Sequence, residues 1–106
     1  MENLKKIFIK NEYILSKENS KAVEFKKEED IIYLLPTKDL CAVIHPKRVE
    51  NSKPLRNRSN GITHSTAFTL FPKKQHTGQQ PIQYGYSFKF ISEKELDAFL
   101  SSIDHL

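Results

Sequence analysis

The stretch that decides the fold is PIQYGYSFKFISEKELDAFLSSI, residues 81–103. In its first half, apolar or aromatic side chains occupy every second position, with polar or small residues between them: Ile82, Tyr84, Tyr86, Phe88 and Phe90. This period of two and the aromatic enrichment predict a β-strand with one apolar face. After residue 90 the spacing of the apolar residues changes from two to three or four, which indicates that a helix follows the strand directly.

That helix is predicted over residues 92–103. Ser92 and Glu95 have the S-x-x-E spacing of a capping box, in which each side chain accepts a hydrogen bond from the other residue's backbone N–H. Apolar residues then recur on one helical face: Leu96, Phe99, Leu100 and Ile103. Because a helix of about twelve residues is marginal alone, we expect it to pack on the apolar face of a strand such as the one before it.

Three runs in the middle of the chain also have strand character. Residues 31–35 and 40–44 are nearly continuous in apolar residues and are joined by a Pro- and Asp-containing loop, which predicts a hairpin of central strands. Residues 66–71 predict another short strand, which ends at a proline.

The N-terminal part predicts smaller strands. Residues 5–9 and 13–15 are interpreted as a pair, and residues 22–25 as a further edge strand, while a helix over residues 3–9 is the competing interpretation. In total, the sequence predicts five to seven short strands and one C-terminal amphipathic helix. This pattern is typical of an α+β fold with an antiparallel sheet, and we expect residues 1–106 to form a single domain.

The composition excludes several classes of protein. With 38% hydrophobic and 28% charged residues, the chain is typical of a globular protein rather than a disordered one. Its longest strongly apolar run, residues 31–35, is far shorter than the roughly 20 residues that span a bilayer. Residues 7–9 are too short an apolar run for a signal-peptide core. No membrane partner is expected.

Cysteine usage points to a cellular compartment. The single cysteine, Cys41, rules out an internal disulfide framework and a cysteine-rich zinc site, so the expected location is cytoplasmic (intracellular) and reducing. Abundant lysine and the absence of tryptophan are typical of small accessory proteins from AT-rich bacterial or phage genomes.

Positive charge is concentrated in the middle of the chain. Residues 45–80 contain seven Lys and Arg residues against one acid, Glu50, a net charge of +6, whereas the remaining residues sum to −2. Two polar loops are predicted here, at about residues 46–65 and 73–81. If residues 66–71 pair with the strand over 82–90, these loops leave opposite ends of one strand, and their charges lie apart unless the long loop folds along the sheet.

The acid-poor segment predicts a small basic accessory protein that binds nucleic acid, DNA or RNA, mainly through phosphates. Guanidinium, ammonium and amide donors suit phosphate oxygens and base edges. The candidate contact residues are Lys47, Arg48, Lys53, Arg56, Asn57, Arg58, Lys73 and Lys74. The tyrosines and phenylalanines of residues 84–90 are either stacking surfaces for bases or core under the helix, and the periodicity favours core.

Two alternatives use the same segment. An inhibitor, immunity or adaptor protein would present its Arg-rich surface to an acidic protein partner. A small metal-independent ribonuclease toxin would use His64 and His76 as base and acid, with nearby cations holding the phosphate. An enzyme is the less favoured class, because no complete catalytic motif is present. The choice among DNA, RNA and protein, the sequence specificity and the oligomeric state are not determined by the sequence.

No cofactor or metal site is expected. His45, His64 and His76 are 19 and 12 residues apart, without the short spacing of most zinc ligand pairs. The three glycines form no phosphate-cradling motif. Cys41 lies in an apolar run and is interpreted as a small buried residue, and His105 as a solvated side chain.

Overall fold

The computed structural model describes residues 2–37, 39–75 and 80–106. Within these ranges the chain forms an α+β fold, with seven strands in an antiparallel arrangement, four α-helices and a final 3₁₀ turn. In chain order these are α1 (Glu2–Lys10), β1 (Ile14–Glu18), β2 (Val23–Lys27), β3 (Asp30–Pro36), β4 (Leu40–Ile44), α2 (Pro46–Glu50), α3 (Lys53–Arg58), β5 (Gly61–His64), β6 (Lys73–Lys74), β7 (Ile82–Phe90), α4 (Glu93–Ser102) and the 3₁₀ turn Ile103–His105. None of the helices in these ranges is long and apolar enough to cross a membrane.

The sheet has the strand order β1-β2-β3-β4-β7-β5, and every pairing is antiparallel. The predicted hairpin over residues 31–35 and 40–44 is confirmed as β3 and β4, with Leu34 opposite Ala42. β7 is central in the sheet, because β4 pairs with one of its edges and β5 with the other. β6 adds a two-residue pairing at the start of β7, with Lys73 opposite Gln83.

The C-terminal helix forms as predicted. Ser92 Oγ accepts a hydrogen bond from Glu95 N at 3.1 Å, which caps α4. The second hydrogen bond of the capping box differs by one residue from the predicted one. Glu95 Oε1 accepts it from Ile91 N at 3.1 Å and not from Ser92 N. The predicted apolar residues of this helix are all buried: Leu96, Phe99, Leu100 and Ile103.

The N-terminal segment corrects two expectations. Residues 5–9 belong to helix α1 and not to a strand, so the competing helical interpretation is the right one. Leu4, Ile7 and Phe8 have helical i, i+3, i+4 spacing and pack into the core. The strand expected over residues 22–25 is β2, which lies between β1 and β3; β1 is therefore the edge strand.

The helices cover one face of the sheet. The Phe8 ring of α1 stacks on Phe25 of β2 with ring centroids 4.1 Å apart, and Phe99 of α4 contacts Phe88 and Phe90 of β7. The buried side chains of α2 and α3, Val49 and Leu55, belong to the same core.

The segment predicted as a strand over residues 66–71 is instead an irregular crossover on the second face of the sheet. Phe68 and Phe71 form tight turns and pack against Tyr33 in a second apolar cluster. Gly85 makes this packing possible, because a Cβ at that position would lie 2.8 Å from Phe71 Cε2. Burial of two phenylalanines overrides the local strand preference.

The first polar loop, expected over residues 46–65, is also corrected, since it folds into α2, α3 and β5. Both helices have local start signals. His45 Nδ1 accepts from Lys47 N at 3.1 Å, Ser52 Oγ accepts from Leu55 N at 3.3 Å, and each helix has a proline in its first turn. In the second loop, over residues 73–81, residues 73–74 form β6, and residues 76–79 lie outside the described residues.

Candidate functional site

The start of β7 brings the two basic segments together. Glu50 at the end of α2 accepts hydrogen bonds from Tyr84 Oη at 3.4 Å and Tyr86 Oη at 2.9 Å. On the β6 side, Lys74 Nζ lies 5.4 Å from the centroid of the Tyr84 ring. α2 and β6 therefore approach the same end of β7. This arrangement is possible because residues 66–71 cross the sheet rather than pairing along β7.

We call Lys47, Arg56 and Lys74 the basic rim. All three side chains are exposed. Arg56 Nη1 donates to the backbone carbonyl oxygen of Glu50 at 2.5 Å, which holds α3 against the end of α2. The rim therefore combines cations from α2, α3 and β6, with Lys47 and Lys74 beside Tyr84 and with Arg56 at the end of α2.

Three further predicted contact residues are exposed beside the rim. Lys53 and Asn57 lie on α3. Lys73 precedes Lys74 in β6 and so points to the opposite face of that strand. The two lysines add positive charge to this surface, and Asn57 adds a neutral amide.

The positive charge of Arg48 is paired with two carboxylates. Its guanidinium lies 2.9 Å from Asp30 Oδ2 and 3.1 Å from Asp104 Oδ1, and it also donates to the Ile103 carbonyl oxygen at 3.3 Å. Hydrogen bonds from Lys27, and then from Arg48, lower the pKa of Asp104 below its usual value. Arg48 therefore ties α2 to the start of β3 and to the C-terminal 3₁₀ turn, and its charge is largely compensated.

Arg58 has a comparable structural role at the other end of β7. Its Nη2 donates to the Lys89 carbonyl oxygen at 2.5 Å and lies 3.3 Å from Glu95 Oε1. The guanidinium carbon is 5.0 Å from the centroid of the Phe90 ring. Replacing Arg58 would thus change stability as well as surface charge.

The aromatic residues of β7 divide into two groups. Phe88 and Phe90 are buried under α4, as the periodicity predicts. Tyr84 and Tyr86 lie beyond the helix and are only partly buried, with ring centroids 6.4 Å apart. Partial burial and the neighbouring Glu50 carboxylate raise the pKa of both tyrosines, so both hydroxyls keep their protons at neutral pH. The sequence did not separate these groups, because both continue one alternating pattern.

A cleft of about 620 Å³ opens between α2 and the crossover segment, next to Tyr84. Lys47 and Glu50 line it from the helix, and Leu70 and Phe71 line it from the crossover. Leu70 is 44% exposed, so its side chain is accessible at the cleft. No sequence signal marked this cleft, since it depends on the path of residues 66–71 over the sheet.

The histidines occupy separate positions. His64 is half-buried on β5, opposite Tyr84, with ring centroids 6.0 Å apart. His76 lies outside the described residues, so the structure does not test the proposed pair. His45 caps α2 and packs edge-on against Phe71, and burial, together with Lys47, lowers the pKa of its imidazole.

The remaining candidates are Cys41 and His105. Cys41 is buried in β4, and burial raises the pKa of its thiol, which disfavours the nucleophilic thiolate. His105 is exposed in the final turn. Within the described ranges, no three His, Cys, Asp or Glu side chains are grouped as a metal site would require.

No protein-family model matches the chain, and no curated protein matches it.

Proposed function

We propose that the chain binds nucleic acid, mainly through backbone phosphates, and that the basic rim is the contact surface. The observation that carries this proposal is that exposed cations from three elements lie close to Tyr84 and Glu50. Lys47 lines the same cleft as Tyr84, Lys74 Nζ is 5.4 Å from the Tyr84 ring, and Arg56 donates to the Glu50 carbonyl oxygen. Phosphate contacts from Lys and Arg supply most of the affinity in non-specific nucleic-acid binding.

The distribution of ion pairs supports the same surface. Arg48 and Arg58 face carboxylates, whereas no ion pair joins a rim cation to a carboxylate among the described residues. Glu50 lines the same cleft as Lys47, and its carboxylate accepts hydrogen bonds from two tyrosine hydroxyls. Uncompensated exposed cations retain the positive potential that attracts a polyanion.

Fluorescence anisotropy tests the proposal. Labelled single- and double-stranded DNA and RNA are titrated with the intact protein at two salt concentrations. Engaging about four or five phosphates would make log K for duplex DNA fall with log[salt] at a slope near −4. A complete lack of binding to all four probes at low salt would contradict the proposal and leave an acidic protein partner as the better account.

The same reactions test the ribonuclease alternative. The RNA probes are incubated with the protein, with and without divalent metal, and then separated on a denaturing gel. If cleavage occurs, His64→Ala or His76→Ala should abolish it without changing the melting temperature. RNA that stays intact at high protein concentration would remove this alternative while leaving nucleic-acid binding in place.

A further inference from the structure

The walls of the cleft beside Tyr84 are mainly apolar. Leu70, Phe71 and Pro72 form the side contributed by the crossover, and Tyr84 contributes its ring from β7. Its volume of about 620 Å³ falls within the range of about 300–1,000 Å³ that is usual for small-molecule sites. The cleft is therefore suited to a flat, largely apolar group rather than to a bare phosphate.

Charge is distributed unevenly around this cleft. Lys47 lines it, and Lys74 Nζ lies close to the Tyr84 ring at its edge. Glu50 also lines the cleft, and its carboxylate repels an anion that enters. A phosphate is thus favoured beside the lysines and disfavoured within the cleft, whereas a neutral nucleobase is not repelled.

We infer that this cleft binds one unpaired base of a single-stranded nucleic acid, while Lys47 and Lys74 contact the phosphates on either side of it. This inference rests on the proposed function and specifies its substrate. In a duplex the bases are stacked and paired, so their faces are not available to a protein ring. A single strand exposes those faces, and Tyr84 and Leu70 provide a surface on which one base can stack.

The test uses an oligonucleotide that carries one fluorescent 2-aminopurine, as a single strand and as a duplex with its complement. At equal salt, the wild-type protein should bind the single strand roughly five-fold or more tightly than the duplex, and binding should quench the 2-aminopurine. Leu70→Ala removes part of the cleft wall without changing charge. It should weaken single-strand binding several-fold and reduce the quenching, and it should leave the duplex affinity and the salt slope unchanged.

One control variant separates the cleft from general effects. Ile91→Ala removes another exposed apolar side chain, 92% exposed and outside the cleft, and should bind both probes like the wild type. Equal affinity for the two probes, or no effect of Leu70→Ala in a variant with wild-type melting temperature, would overturn the inference and leave the proposed function intact. Absence of binding to both probes would overturn both.

Discussion

The Glu50 carboxylate accepts a hydrogen bond from the Tyr86 hydroxyl at 2.9 Å, and this contact joins the end of helix α2 to strand β7. Glu50 is the single acid among residues 45–80. Its place between the two tyrosines gives it a positioning role, because it holds the helix that carries Lys47 beside the strand approached by Lys74. The acid thus helps to assemble the basic rim and also lowers its potential.

Glu50→Gln separates these two effects. The amide oxygen can still accept from the tyrosine hydroxyls, whereas the negative charge is lost. We expect a few-fold higher affinity for nucleic acid at low salt, and this gain should shrink as salt rises. Glu93→Gln removes an exposed charge from the first turn of α4 and is the matched control. Equal gains from the two variants in the anisotropy titration would show that Glu50 has no local influence on the site.

Gly85→Ala should destabilise the fold. The added Cβ would lie 2.5 Å from Val43 Cγ1 and 2.8 Å from Phe71 Cε2, and both side chains are buried. Overpacking of this kind costs about 1–3 kcal/mol, because the neighbours must leave their preferred positions. Urea unfolding measures the loss directly. A stability equal to that of the wild type would mean that the crossover is not packed on β7 as described.

Leu100→Ala should be more destabilising. Leu100 is 2% exposed and lies on the core side of α4, and truncation of a buried leucine costs about 2–5 kcal/mol. Leu106→Ala is the matched control, since Leu106 is 42% exposed, and its effect should stay within about 0.5 kcal/mol. Similar losses for both variants in chemical denaturation would contradict the docking of α4 on the sheet.

Stability should fall on mild acidification because of His45. Its pKa is lowered from 6.5 in the folded chain, chiefly by burial and then by Lys47, so the unfolded chain binds more protons at this site. The stabilisation is therefore present above pH 6.5 and is lost as the pH falls from there through the lower folded-state pKa. His45→Asn keeps an N-cap acceptor for α2 and cannot titrate.

Unfolding free energies of the wild type and of His45→Asn at several pH values between 5 and 7.5 check this prediction. The difference between the two proteins isolates His45 from the other histidines. We expect the wild type to lose stability relative to the variant towards pH 5. Parallel curves would show that His45 does not titrate differently in the folded and unfolded chains.

Local patterns predicted the parts of the fold whose partners are close in sequence. The alternation over residues 82–90, the helix that follows and the hairpin of β3 and β4 are each specified by period and turn residues. Two features with equally local signals were misassigned: helix α1 was only the competing interpretation, and α2 and α3 were predicted as a loop. α1 has an apolar stripe at Leu4, Ile7 and Phe8, and α2 and α3 have caps followed by a proline.

The path of residues 66–71 was not predictable in the same way. Its phenylalanines are buried against Tyr33 on another strand, and Gly85 leaves the space for Phe71. Both partners are distant in sequence, so the pattern alone favoured a strand. The geometry of the candidate site was not predictable from local patterns for the same reason. Its charges were visible in the sequence, but the pairing of Glu50 with Tyr86 depends on the long-range path of the chain.

The salt dependence of binding in two double variants tests the central claim most directly. Lys47→Ala/Lys74→Ala and Lys17→Ala/Lys21→Ala each remove two exposed positive charges, the first pair from the basic rim and the second from the β1 side of the sheet. For duplex DNA, loss of two phosphate contacts should flatten the slope of log K against log[salt] by roughly two units in the rim variant. The slope of the β1-side variant should stay close to that of the wild type. Equal changes in both variants, or an unchanged slope in the rim variant, would contradict the claim that the rim contacts nucleic acid.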